Sequence, residues 1–187
     1  MALFPLFVSL KGKPILVVGA GRVAARKVAN LLPFEPKITV VAPQADPFIK
    51  ELADKGLVKL QLRSFERSDL DGAFLVIGAV DNVELQKSIF EECRKRNIPV
   101  NCVDKPEFCT FIFPSLVVRG DLVVGISTSG RAPSVSKRVR QIIERCLPED
   151  IDSVIDEIAR LRSSGSKNRQ QRVVEATERM LPIEGEQ

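Results

Sequence analysis

The run Ile15-Leu16-Val17-Val18-Gly19-Ala20-Gly21-Arg22-Val23-Ala24-Ala25-Arg26-Lys27 constrains this chain most, because an apolar strand passes directly into Gly-x-Gly-x-x-Ala and then into a helix-like pattern. A strand that turns at once into a helix needs a residue without a β-carbon at the bend, and Gly19 supplies it. Gly21 leaves the backbone open to a close-lying ligand, and the small Ala24 lets the helix pack tightly on its strand. Unpaired N–H groups at the start of such a helix attract anions, so the segment reads as the pyrophosphate cradle of a dinucleotide.

The same rhythm continues down the chain. Strand-like runs at Pro14–Val18, Lys37–Val41, Val58–Leu62, Phe74–Ile77 and Pro99–Val103 alternate with helix-like stretches near Val23–Leu32, Pro47–Lys55 and Val83–Arg96. Most of the strands are continuously apolar, as expected where helices cover both faces of a parallel sheet. The expected fold is α/β: a Rossmann-like, doubly wound parallel sheet over residues 1–113. Beyond it the pattern changes. Residues 114–127 read as two strands joined by a Gly120-Asp121 turn. Pro133 then opens a helix whose apolar positions Val135, Val139, Ile142, Ile143 and Cys146 recur at helical spacing. Residues 114–147 thus read as a small α+β region, and 148–187 as a helical C-terminal region. In the latter, Ile151, Val154, Ile155, Ile158 and Leu161 mark one amphipathic helix, Ser163–Ser166 a joint, and Arg169–Leu181 a weaker helix before a frayed tail.

Composition excludes several classes. Apolar residues make up 44% and charged residues 28%, values of a globular chain, and no run approaches a membrane span. The start, Met1 to Val8, carries neither a basic leader nor a cleavage site, so a cytoplasmic protein is expected. There is no histidine. With Cys93, Cys102, Cys109 and Cys146 free of any Cys-x-x-Cys pair, no resident metal is expected, and a general base must be a carboxylate, a cysteine or a lysine. Arg119, Arg131, Lys137, Arg138, Arg140 and Arg145 concentrate positive charge in one stretch of a chain of net charge +4, which suits an anionic partner. Nucleic acid is disfavoured, since no Tyr or Trp is present to stack on bases.

Four places can carry chemistry. A dinucleotide fold usually ends its second strand in an acid for the adenine ribose, about 20 residues beyond the glycines. Here Val41-Ala42-Pro43-Gln44 offers none, leaving Gln44 or backbone near Pro43 for that role and the choice between NAD and NADP open. Asp81 has two readings, as cap of the helix beginning near Val83 and as a group lining the cofactor cleft, and both can hold together. Asp104 stands where the Pro99–Val103 strand leaves the sheet on its ligand-binding edge, where an acid can face a nicotinamide. An Asp-initiated turn before Pro106 is the structural alternative. Finally, Ser127-Thr128-Ser129-Gly130-Arg131-Ala132-Pro133-Ser134-Val135-Ser136-Lys137 crowds hydroxyls, a glycine and two cations at a helix start, a setting for carboxylates or phosphates.

Together these segments resemble the precorrin-2 dehydrogenase / sirohydrochlorin ferrochelatase family, the dehydrogenase part of siroheme synthases. The likeness begins at Phe4-Pro5-Leu6-Phe7 and runs through Val17–Lys27, Asn101-Cys102-Val103-Asp104, Phe111-Ile112-Phe113-Pro114-Ser115, Arg119-Gly120-Asp121-Leu122 and Ile126–Pro133. The glycine motif alone is unspecific. Its combination with the later segments, in order and over most of residues 1–147, is specific. The resemblance implies an oxidoreductase that uses NAD to oxidise precorrin-2, an octacarboxylate tetrapyrrole, to sirohydrochlorin in siroheme biosynthesis. It maps the NAD contacts to Gly19, Gly21, Arg22 and Val23 and to Pro43 and Gln44, and the key aspartate to Asp104; Asp81 is a further candidate cofactor contact from its place at the carboxyl end of its strand alone. The donor-rich segment makes Thr128, Ser129, Gly130, Arg131 and Lys137, with Ser115, the candidate contacts for the substrate's carboxylates, and the resemblance implies a homodimer paired through the hairpin region. In some members the same aspartate also serves iron insertion, a lyase activity in which Fe2+ is a transient substrate. Thr128 stands where fused members carry a serine that can be phosphorylated. At 187 residues the chain leaves no room for the methyltransferase domain of fused members, so precorrin-2 is expected from another protein. The competing reading is a non-catalytic NAD-binding redox regulator.

Overall fold

A computed structural model describes residues 3–165 and 168–182. Ser166, the end of the expected joint, and the expected frayed tail at 183–187 lie outside the described residues. The chain divides into two units, residues 4–113 and the segment from Pro114 onward.

In the first unit, β1 (Pro14–Val18), β2 (Lys37–Val41), β3 (Val58–Gln61), β4 (Leu75–Gly78) and β5 (Val100–Cys102) form one parallel sheet in the order β3-β2-β1-β4-β5. The order reverses at β1, so the crevice at the carboxyl ends of β1 and β4 is the switch point at which doubly wound folds bind ligands. Helices α1 (Arg22–Leu31), α2 (Pro47–Asp54) and α3 (Val83–Lys95) connect the strands. Alternate residues of each strand feed opposite faces. Ile15, Val17, Ile38, Val40 and Ile77 pack with Ala24, Val28 and Leu31 of α1 and Ile49 and Leu52 of α2. Leu16, Val18, Val76, Val100 and Cys102 pack with Ile89 and Cys93 of α3. Burial on both faces explains why the central strands β1 and β4 are continuously apolar in sequence.

The expected elements appear with ends displaced by no more than two residues. Three short 3-10 turns, at Leu32–Phe34, Arg67–Leu70 and Pro106–Phe108, were not foreseen. Asp81 is not the cap of α3. That role belongs to Asn82, whose Oδ1 accepts from the Leu85 N–H at 2.9 Å.

The second unit contains an antiparallel pair, β6 (Ser115–Arg119) and β7 (Leu122–Ile126), followed by α4 (Pro133–Cys146), α5 (Ile151–Ser163) and α6 (Arg169–Met180). Helix α4 packs on the hairpin and α6 on α5. The apolar stripe of α4 is largely uncovered: Val135 and Ile142 are about half exposed, Cys146 is exposed, and Ser136 is the buried residue of the helix. A lone hairpin offers too little surface to cover a 14-residue helix.

Candidate functional site

The glycine turn is built as its sequence requires. Gly19 is buried with φ +102°, and a β-carbon there would lie 2.1 Å from the Ala79 carbonyl oxygen. The Gly19 N–H donates to the Val41 carbonyl and the Ala79 N–H to the Val18 carbonyl, at 2.9 and 2.7 Å, so the turns after β1, β2 and β4 are knitted together. Gly21, the N-cap of α1, is exposed, and a β-carbon on it would meet nothing within 4 Å. The α1 N-terminus has no side-chain cap and no acid in its first turn. These features fit a dinucleotide pyrophosphate: open space before Gly21, uncapped N–H groups and no competing carboxylate.

Arg22 and Val23 open α1 and are exposed, as are Pro43 and Gln44 beyond β2. The first acid after β2, Asp46, is already engaged: its Oδ1 accepts from Phe48 N–H as the cap of α2, and its own N–H donates to the Ala20 carbonyl. Asp46 therefore stands as the cap of α2 and not at the end of β2, where the ribose acid is usual. Asp81 is exposed in the turn after β4.

Asp104 follows β5 by two residues, on the same carboxyl edge of the sheet as the glycine turn, and is exposed. Its backbone is left-handed, φ +59°, a conformation aspartate tolerates better than most residues. Val103 N–H donates to the Gly78 carbonyl at 2.9 Å, fixing the residue before it. The Cys109 thiol donates to the carbonyls of Cys102 and Lys105, each at 3.2 Å, and braces the loop from both sides of Asp104. Asn101, buried, donates from Nδ2 to the Phe111 carbonyl at 3.0 Å.

Two contributors escaped sequence reasoning. Gln86 of α3 is 4% exposed, and its Nε2 donates to the carbonyls of Val80 at 2.6 Å and Val103 at 3.3 Å, tying the turn after β4 to the residue before Asp104. Its position in the buried stripe Gln86, Ile89, Cys93 was the available signal. Lys27 of α1 holds its Nζ 4.0 Å from the Phe113 ring centroid. Burial, helped by Arg26, lowers its pKa from 10.5 to about 8, against the opposing fields of Cys109 and Asp104. The two buried thiols are inert by contrast: burial pushes Cys93 up to about 11 and Cys102 up to about 12.

In the second unit, Ser115 pairs with Ile126 across the hairpin, which brings it beside the loop that starts at Ser127. That loop spends hydroxyls on itself: Ser127 Oγ accepts from Ser129 N–H at 2.9 Å and Thr128 Oγ1 from Ala132 N–H at 3.1 Å. Ser129 and Gly130 are left-handed, φ +53° and +77°. Arg131 and Lys137 project as exposed residues, while Arg140 pairs with Glu144. Among the described residues no group of three or more His, Cys, Asp or Glu gathers as a metal site, and no helix is long and apolar enough to cross a membrane.

Residues 6–115 match a family model described as "Putative NAD(P)-binding". The chain is similar to siroheme synthases: 38% identical over 162 residues to that of Methylococcus capsulatus, covering 87% of this chain and 34% of the relative. With that of Methylobacillus flagellatus it shares 42% over 148 residues, covering 79% and 32%. It therefore spans about a third of the length of these relatives. Among solved structures, "SirC, precorrin-2 dehydrogenase" has the same fold, with a TM-score of 0.75 at 23% identity, over 92% of this chain and 88% of that one.

Proposed function

Because the chain belongs to the NAD(P)-binding family that its residues 6–115 match, we propose that it is an NAD-dependent dehydrogenase converting precorrin-2 to sirohydrochlorin in siroheme biosynthesis. The observation that carries the reading is Asp104: an exposed carboxylate in a left-handed turn, on the sheet edge that also holds the glycine cradle. The names of the siroheme synthase relatives and of the SirC structure support the substrate.

Oxidation of one C–C unit of the macrocycle removes a hydride and a proton. NAD+, when bound, supplies the hydride acceptor. Gly19, Gly21, Arg22 and Val23 would hold its pyrophosphate, with Pro43 and Gln44 toward the ribose and Asp81 at the turn after β4. Asp104 takes the proton, having no ion-pair partner within 4 Å among the described residues to occupy its oxygens. In the second unit, Ser115, Thr128, Ser129, Gly130, Arg131 and Lys137 are proposed to bind carboxylates of the octacarboxylate substrate. The homodimer is proposed to form through the half-exposed apolar stripe of α4, and a cytoplasmic setting accords with reduced, unpaired thiols.

Asp104→Ala tests the reading. It should depress turnover by at least about a hundredfold while NAD+ affinity stays unchanged. Equal loss in both would make Asp104 a binding residue, and NAD+ binding with no tetrapyrrole turnover by the unaltered chain would favour a redox regulator. Iron insertion with Fe2+ as substrate is read separately, as metallation of sirohydrochlorin above the spontaneous rate.

A further inference from the structure

Lys27 presents an anomaly. Its ammonium is partly buried, yet among the described residues it has no hydrogen bond and no carboxylate within 4 Å; it lies over the Phe113 ring, itself packed on Phe111 with centroids 5.5 Å apart. A cation withdrawn from water without an anionic partner is costly, and a fold that keeps one has a use for it. The titratable groups that face it are Arg26 on its own helix and, from the segment after β5, Asp104 and the Cys109 thiol, which burial keeps protonated. The two cations repel, and Asp104 stays beyond contact distance. The place for an anion beside Lys27 is thus flanked by an aromatic face, a braced loop and the proposed proton acceptor.

We infer that Lys27 anchors a carboxylate of the substrate beside Asp104, fixing which part of the ligand the aspartate meets. The identity of that ligand rests on the dehydrogenase reading above; the anchoring itself rests on the unpaired ammonium. A carboxylate brings the acceptor oxygens that an ammonium with three unsatisfied donors lacks, and it restores a charge-assisted pair where water is partly excluded. The position argues against the cofactor's pyrophosphate as the anion: Lys27 is the sixth residue of α1, more than a turn beyond the N–H groups at the helix start. The anchor acts only while protonated, so it weakens as pH passes about 8.

The test uses the full chain and two ligands. Uroporphyrin, an octacarboxylate macrocycle, is titrated by its fluorescence at pH 7 and pH 9, and steady-state constants are measured for precorrin-2 and NAD+. Lys27→Met should weaken uroporphyrin roughly tenfold and raise the KM of precorrin-2 by a similar factor, with the KM of NAD+ unmoved. Lys27→Arg should bind as the unaltered chain does at pH 7 and, unlike it, keep that affinity at pH 9. Unchanged uroporphyrin binding and precorrin-2 KM in Lys27→Met overturn the inference, as does a rise confined to the KM of NAD+. Loss of uroporphyrin binding in Lys27→Met, in a protein that never turns over precorrin-2, sustains the anchor and overturns the dehydrogenase reading instead.

Discussion

Gly19 and Ala79 approach so closely that a β-carbon on Gly19 would lie 2.1 Å from the Ala79 carbonyl oxygen, and this contact sets how near the turn after β1 comes to the turn after β4. Gly21, two residues on, has no such constraint. The two glycines therefore separate folding from binding. Gly19→Ala faces a backbone clash and φ +102°, and should lose roughly 3 kcal/mol or more of stability. Gly21→Ala should fold normally and lose only cofactor affinity, because its methyl group fills space left for phosphate. Thermal unfolding and NAD+ titration of both variants check this; equal destabilisation would mean that Gly21 is also a packing residue.

Lys27 gives a pH signature in the ligand-free protein. Its folded pKa of about 8 lies below the ordinary 10.5, so between those values the unfolded chain holds a proton that the folded one has released. Stability from this residue therefore rises with pH from about 8 to 10.5, and its cost is fully present below 8. Cys93 and Cys102 act oppositely above their ordinary 9.0, since the fold retains their protons. The window from pH 8 to 9 belongs to Lys27. Lys27→Met should melt higher than the unaltered chain at pH 7, with the gap narrowing as pH rises; a constant gap would show that the charge is not the cause.

Gln86 couples the turn after β4 to the approach of Asp104, through Val80 and Val103. Its Oε1 is buried with no partner among the described residues, so the side chain is kept for its two donated bonds at some cost. Gln86→Leu removes both bonds and should destabilise by about 1–2 kcal/mol. It should also lower turnover more than NAD+ binding, because the residue before Asp104 loses a tether. Denaturant unfolding with parallel kinetics measures both, and an unaltered kcat would separate Gln86 from the positioning of Asp104.

The buried thiols supply a control. Cys93 and Cys102 are nearly inaccessible and held as thiols well above neutral pH, so alkylation at pH 7.5 should leave both unmodified in the folded protein. Mass analysis before and after unfolding would show this. Rapid folded-state labelling of Cys102 would mean that the end of β5 opens.

Strands were legible because both faces of the sheet are covered: runs such as Ile15–Val18 and Leu75–Ile77 are apolar throughout, and burial follows them. The 3-10 turns were not, being too short to carry a period. Asp81 and Asn82 are both good caps, and only the position of the Leu85 N–H chooses between them. Helical spacing correctly marked an apolar stripe on α4 but could not tell a core from a surface left half exposed. The positions of the glycine turn and of Asp104 on one sheet edge were readable, because each follows directly from the strand before it. Lys27 was not, since nothing in Ala24-Ala25-Arg26-Lys27-Val28 tells which of two adjacent cations folds over a phenylalanine 86 residues away.

The most direct measurement is anaerobic mixing of the protein with freshly generated precorrin-2 and NAD+, following NADH and sirohydrochlorin absorbance together, with NADP+ in a parallel cuvette. The account predicts that both products appear in equal amounts, faster with NAD+ than with NADP+, and that Asp104→Ala nearly abolishes both. Folded protein that binds NAD+ yet forms neither product would contradict it.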